Sequence, residues 1–165
     1  IVPSRGLIGF QTEFMTQTSG SGLFYRNFSR YGPMVAGEFG NRDKGVLISN
    51  AQGASVGFGL FNLQDRGRLF IGHGVPIYEG MIIGIHSRGN DLVVNALKAK
   101  QLTNVRASGT DEAVTLTTPI KMSLEQALEF IDEDELVEVT PDSVRIRKRL
   151  LTENERKRAS RPKKV

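Results

Sequence analysis

Between residues 34 and 90 the apolar residues come in short runs cut by glycine, asparagine, aspartate or proline. "GVLISN", "SVGFGL", "RLFIG" and "GMIIGIH" are the clearest. A helix needs a longer stretch of 3.6-residue period to hide one face, whereas short β-branched and aromatic runs between turn formers suit strands. Many short strands with glycine turns are expected to make a small barrel-like or sandwich-like sheet. "LFNLQDRG" is the exception, readable as a helical turn between strands. Gly32-Pro33 is a breaker and marks the expected domain boundary.

Before that boundary, Leu7, Ile8, Phe10, Phe14 and Met15 recur at helical spacing, with Ser4 as a candidate N-cap and Gly20 or Gly22 as the stop. "GLFYRNFSRY" then alternates aromatic and basic residues like an imperfect strand. After the glycine-rich region, "SLEQALEFIDEDE" predicts a helix. Ser123 and Gln126 form a capping box, and Leu124, Ala127, Leu128 and Ile131 form the apolar stripe. "ELVEVTPDSVRIRKR" predicts a hairpin turning at Thr140 to Ser143. Pairing Val139 with Val144 sets Val137 opposite Ile146 and Glu138 opposite Arg145. A second capping box, Thr152 and Glu155, opens a short basic helix that Pro162 stops and that is expected to fray.

Charge is segregated. Residues 123–142 carry eight acidic groups and no basic one, while residues 145–165 carry ten basic groups against Glu153 and Glu155. Self-neutralisation and nucleic-acid binding both fit this pattern. With 165 residues and no cysteine, the chain is large enough for one domain or two small ones and can form neither disulfides nor thiolate metal sites. No apolar run reaches the roughly 18 residues that span a bilayer, and the start does not read as a signal peptide. A first residue of Ile rather than Met points to a piece of a longer chain.

Catalytic signals are weak. There is no G-x-x-x-x-G-K-[ST] phosphate loop, and the glycines at 57, 59, 72 and 74 read as turns. His73 and His86 lack a second metal ligand in view. An enzyme built on His86, Arg88 and Asp91 would need those groups to converge on a concave site. The acids from Asp132 to Glu135 read as a solvated face.

"LVVNALKAKQLTNVRASGTDE", residues 92–112, is ambiguous. Leu92, Ala96, Ala99 and Leu102 permit an amphipathic helix on the sheet. Lys98, Lys100 and Arg106 equally permit an exposed loop that reaches phosphate.

"IVPSRGLIGFQTEFMTQTSGSGLFYRNFSRYGP" resembles the end of domain V of translational GTPases of the elongation factor G type, through Val2-Pro3, Gly9, Thr18, Gly20, Phe28 and Tyr31. "LFNLQDRGRLFIGHGVPIYEGMIIG", "LTNVRASGTDEA" and "SLEQALEFIDEDELVEVTP" resemble the C-terminal domain of the BipA (TypA) branch. The resemblance covers essentially all of the chain, with Gly89 standing where an acidic residue is expected. It implies an α+β fold. Residues 1–33 would close a ferredoxin-like domain, 34–150 would be the β-rich, barrel-like branch-specific domain, and 151–165 a basic tail.

The resemblance further implies a cytoplasmic, ribosome-binding GTPase of stress adaptation and large-subunit assembly. Its GTP and Mg site would lie outside this chain, so the chain itself would be neither catalytic nor cofactor-bound. Its partners would be 23S rRNA and the acceptor arm of A-site tRNA, with no membrane and no small-molecule substrate. The reaching loop falls on about Asn95 to Glu112. It is expected to be poorly ordered off the ribosome and anchored by Leu92 to Val94 and Val114 to Leu116. Asn95, Lys98, Lys100, Gln101, Thr103, Asn104, Arg106 and Ser108 are its RNA-binding candidates, with Lys121, Arg147, Lys148 and Arg149 beside them. A protein-interaction module that only positions the GTPase domains is the alternative.

Overall fold

The computed structural model of the chain describes residues 1–36, 42–99 and 115–161. The elements there are α1 (Phe10–Gln17), β1 (Val46–Ser49), β2 (Gly53–Ala54), α2 (Gly57–Gln64), β3 (Gly67–Leu69), β4 (Pro76–Ile77) and β5 (Met81–His86). They continue with β6 (Leu92–Val94), α3 (Leu124–Phe130), β7 (Glu135–Val139), β8 (Val144–Lys148) and α4 (Glu153–Ala159). No helix among the described residues is long and apolar enough to cross a membrane.

The fold is mixed α+β. Six strands form one sheet in the order β6-β1-β5-β8-β7, with β3 also on β5. β8 pairs with Met81 and Ile82, and β3 with Gly84, Ile85 and His86, so the two follow one another along β5. β1 runs parallel to β6 and antiparallel to β5. β2 and β4 form a separate two-stranded sheet.

No closed barrel forms among the described residues; the sheet path is open and ends at β6 and β7. β1 and β5 are apolar on both faces. Leu47, Met81 and Ile83 join Leu60 and Leu63 of α2 in one core. Val46, Ile48 and Ile82 join Ala127 of α3 and Ile146 of β8 in another. Strands with two buried faces need cover on both sides, which gives layers.

The hairpin register is as the sequence predicts, with Val137 opposite Ile146, Glu138 opposite Arg145 and Val139 opposite Val144. Both capping boxes are present. The stripe of α3 differs from expectation. Ala127, Phe130 and Ile131 face the core, while Leu124 is exposed and Leu128 is 54% exposed. The helix ends at Phe130, so its C-terminal edge does the packing.

At the start of the chain, Ser4 opens a 3-10 turn, and Gly9 (φ 77°) precedes α1 without a side-chain cap. Phe10, Phe14 and Phe24 cluster with ring centroids 5.5–6.1 Å apart. Residues 21–36 form no strand. No described strand lies beside them to take up their backbone hydrogen bonds, and an isolated strand is not stable in water.

One buried charge network crosses the sheet. Arg42 forks onto Glu135 with N–O distances of 2.8 and 2.9 Å, donates to the Phe130 carbonyl at 2.9 Å and lies 4.4 Å over the Phe130 ring. Lys148 Nζ lies 2.6 Å from Asp91, 3.0 Å from Asp134 and 3.0 Å from Glu135. Glu135 and Lys148 have side chains only 0% and 3% exposed. Asp91 also accepts from the Val46 amide at 2.9 Å.

Burial alone would raise the Glu135 carboxyl, but the Arg42 hydrogen bond and charge outweigh it and hold the group below its ordinary 4.5. Burial alone would lower Lys148, but Asp91, Glu135 and Asp134 together hold it above its ordinary 10.5. The Glu135 contribution to stability is therefore present above pH 4.5 and lost as pH falls through the depressed value. The Lys148 contribution is complete below pH 10.5 and lost as pH rises through the raised value.

Removing one partner strands the other charge in the interior. Glu135→Gln should cost about 3–5 kcal/mol in urea unfolding at neutral pH and should flatten the acid limb of the stability curve. Loss of less than about 1 kcal/mol would show the network to be solvated. The strand pairing has its own test at Gly67, where an added Cβ would sit 1.8 Å from the Ile85 carbonyl oxygen. Gly67→Ala should cost about 3 kcal/mol or more in the same assay, and wild-type stability would contradict the β3–β5 register.

Candidate nucleic-acid interface

The sequence-predicted residues divide into four places. Lys100, Gln101, Thr103, Asn104, Arg106 and Ser108 lie outside the described residues, as does most of the expected loop. Arg147, Lys148 and Arg149 lie on or just after β8. Asn95 and Lys98 follow β6. Lys121 is exposed, just ahead of α3 in the chain.

The β8 group is largely committed to the protein itself. The Lys148 ammonium is spent on three carboxylates and is out of water, so it is part of the core rather than a free cation. Alternation along β8 with Ile146 inward does not reveal this, because the three acids come from elsewhere in the chain. Arg147 Nε lies 2.5 Å from Glu138, which also accepts from the Tyr78 hydroxyl. Burial and this bond raise the Tyr78 hydroxyl well above its ordinary value. Glu138 thus turns to Arg147 rather than to its register partner Arg145, whose Nε donates to Ser143 Oγ at 3.1 Å. Arg149 is exposed and donates to the Glu133 carbonyl at 2.9 Å.

The β6 group is different. A groove of about 650 Å³ runs between α2 and β6, and Asn95 and Lys98 line it with Phe58, Asn62 and Arg66. Its floor is set by a close backbone approach. The Val56 amide donates to the Ala96 carbonyl at 2.9 Å, and a Cβ on Gly59 would come within 2.8 Å of that same oxygen. Only glycine lets α2 sit so near the chain after β6. Arg66 is pinned through its backbone, its carbonyl accepting from the amide and the hydroxyl of Ser87 at 2.9 Å each. Asn95 Oδ1 accepts from the Leu97 amide at 2.8 Å.

Phe58, Asn62 and Arg66 were not singled out in the sequence, though the signal was there. They recur every four residues, which places them on one stripe of α2 and its exit. The short apolar run around them masks the pattern.

The residues offered for chemistry do not assemble. His86 is buried, with Nδ1 2.5 Å from the Asn90 carbonyl oxygen, and Asp91 is bound to Val46 and Lys148. His73 lies in a turn. Among the described residues, no three His, Cys, Asp or Glu side chains are placed to hold a metal ion.

Comparison with known proteins gives the family. A family model described as the TypA/BipA C-terminal domain matches residues 44–153, more than half of the chain. The large ribosomal subunit assembly factor BipA of Salmonella typhimurium is 70% identical over 164 residues, which is 99% of this chain and 27% of that protein. The protein of the same name from Escherichia coli strain K12 is 69% identical over 161 residues, 98% of this chain and 26% of that protein. That from Haemophilus influenzae is 65% identical over the same length. The chain thus spans about a quarter of the length of these relatives. It belongs to the TypA/BipA family and carries that family's C-terminal domain.

Proposed function

We propose that this chain is the ribosome-contacting effector region of a translational GTPase that serves large-subunit assembly and stress adaptation in the cytoplasm. The carrying observation is identity of 65–70% along nearly the whole chain to proteins named for large ribosomal subunit assembly. Residues 1–33 would close a ferredoxin-like unit, 34–150 form the family-specific domain and 151–165 a basic tail. GTP and Mg would be handled elsewhere in the longer protein, and no step of hydrolysis falls to residues of this chain.

The contacts proposed are 23S rRNA and the acceptor arm of A-site tRNA. Asn95 and Lys98 would open the contact, and Lys100, Gln101, Thr103, Asn104, Arg106 and Ser108 would extend it. Lys98, exposed and without a carboxylate partner among the described residues, is the kind of cation that can exchange counterions for phosphate. Lys121, Arg147 and Arg149 are secondary candidates. Lys148 is left out, because its ammonium is buried and held by three carboxylates.

A second reading, a module that positions the GTPase domains without touching RNA, draws on the exposed apolar residues Leu23, Tyr25, Phe28, Tyr31 and Met34. One titration separates the two. Lys98, Lys100 and Arg106 are changed to Ala together in the full-length protein, and ribosome affinity is measured against salt. Loss of three phosphate contacts should lower the slope of log affinity against log salt by about 2–3 and weaken binding at moderate salt. Unchanged slope and affinity would favour the positioning module.

A further inference from the structure

We infer that the groove between α2 and β6 is a receptor for an unpaired RNA nucleotide at the base of the loop, sharing Asn95 and Lys98 with the loop contacts. The inference rests on the RNA-contacting reading above and gives it a fixed site. The groove, at about 650 Å³, is of a size that takes a nucleotide. Its two charged lining residues, Arg66 and Lys98, are both cations, both exposed, and neither meets a carboxylate among the described residues. That is the electrostatic signature of an anion, here a phosphodiester.

The remaining lining suits a base. Phe58 is half-buried and is the aromatic residue lining the groove. Aromatic faces receive unstacked bases, whereas a paired base is not available to them. Asn62 Nδ2 is used on the Phe58 carbonyl at 3.0 Å, which leaves Oδ1 as an acceptor. Asn95 Oδ1 is used on the Leu97 amide at 2.8 Å, which leaves Nδ2 as a donor. An acceptor and a donor on opposite walls can meet the edge of a base between them. The walls are tied to the fold, because the close approach of Gly59 and Ala96 seats α2 against the chain after β6 and Ser87 holds the Arg66 backbone.

The test uses full-length protein and a fluorescein-labelled short ribo-oligonucleotide, free and annealed to its complement, read by anisotropy over a salt series. Phe58→Leu should weaken single-strand binding about five-fold or more with an unchanged salt slope. Phe58→Tyr, which keeps the ring, should bind like wild type. Arg66→Ala should lower the slope by about 0.7, and Arg66→Lys should restore it. Arg68→Ala, removing a cation outside the groove, should leave the single-strand affinity as it was. Melting curves confirm that each variant is folded, and the Tyr and Lys variants keep the comparison valid if a truncation is not.

Wild-type binding by both Phe58→Leu and Arg66→Ala would overturn the inference. So would equal binding of duplex and single strand, or equal competition by inorganic polyphosphate, since a bare charge patch does not need the ring. If the groove variants bind the oligonucleotide normally yet lose ribosome affinity, the groove takes a protein segment and the RNA assignment falls. All these variants keep Lys100 and Arg106, so failure here leaves the loop reading standing.

Discussion

Lys148 and Glu135 sit almost out of water, and three separate stretches of chain meet on them. Arg42 brings the segment before β1, Asp91 the entry to β6, and Asp134 the entry to β7. The coulombic gain of such a cluster is largely offset by desolvation, so its main consequence is geometric. Slipping β8 by one residue would turn Lys148 to the opposite face and leave Glu135 and Asp91 without it. The register of the hairpin, the position of β1 and the start of β6 are thus set together. Asp91 carries this to the site, because it ties Val46 to Lys148 one residue before β6 leads into Asn95 and Lys98.

The two faces of the sheet divide the labour. Phe130 is central on one, edge-on to Phe70 with ring centroids 5.5 Å apart and beneath the Arg42 guanidinium. On the other, α2 packs Leu60 and Leu63 down and presents Phe58, Asn62 and Arg66 beside the edge strand β6. A surface at a sheet edge keeps its shape only when that edge is fixed from behind. Here it is fixed by the parallel pairing of β6 with β1 and by the carboxylate of Asp91.

Local signals in the sequence were legible where the physics is local. The hairpin register followed from Thr140 to Ser143 and alternation of Val137, Val139, Val144 and Ile146, and the two capping boxes followed from three-residue spacing. What failed was non-local. Nothing near Lys148 announces Asp91, so it read as a surface cation. The stripe of α3 was drawn through Leu124, Ala127, Leu128 and Ile131, and only Ala127 and Ile131 pack on the core, because the pattern does not say that the helix ends at Phe130. Many short strands with glycine turns suggested a barrel-like or sandwich-like sheet, but that pattern does not say which edges pair, and no closed barrel forms among the described residues. Phe58, Asn62 and Arg66 gained meaning only when β6 was seen beside them, while the family resemblance stood on motifs spread along the chain and was shown by the comparisons.

Ribosome contact through this domain is most directly tested by crosslinking the full-length protein to large ribosomal subunits with ultraviolet light and mapping RNA-bearing peptides by mass spectrometry. Adducts within residues 57–66 and 92–112 are the expected result. Adducts confined to the basic tail, or none in this chain while the protein remains ribosome-bound, would contradict it.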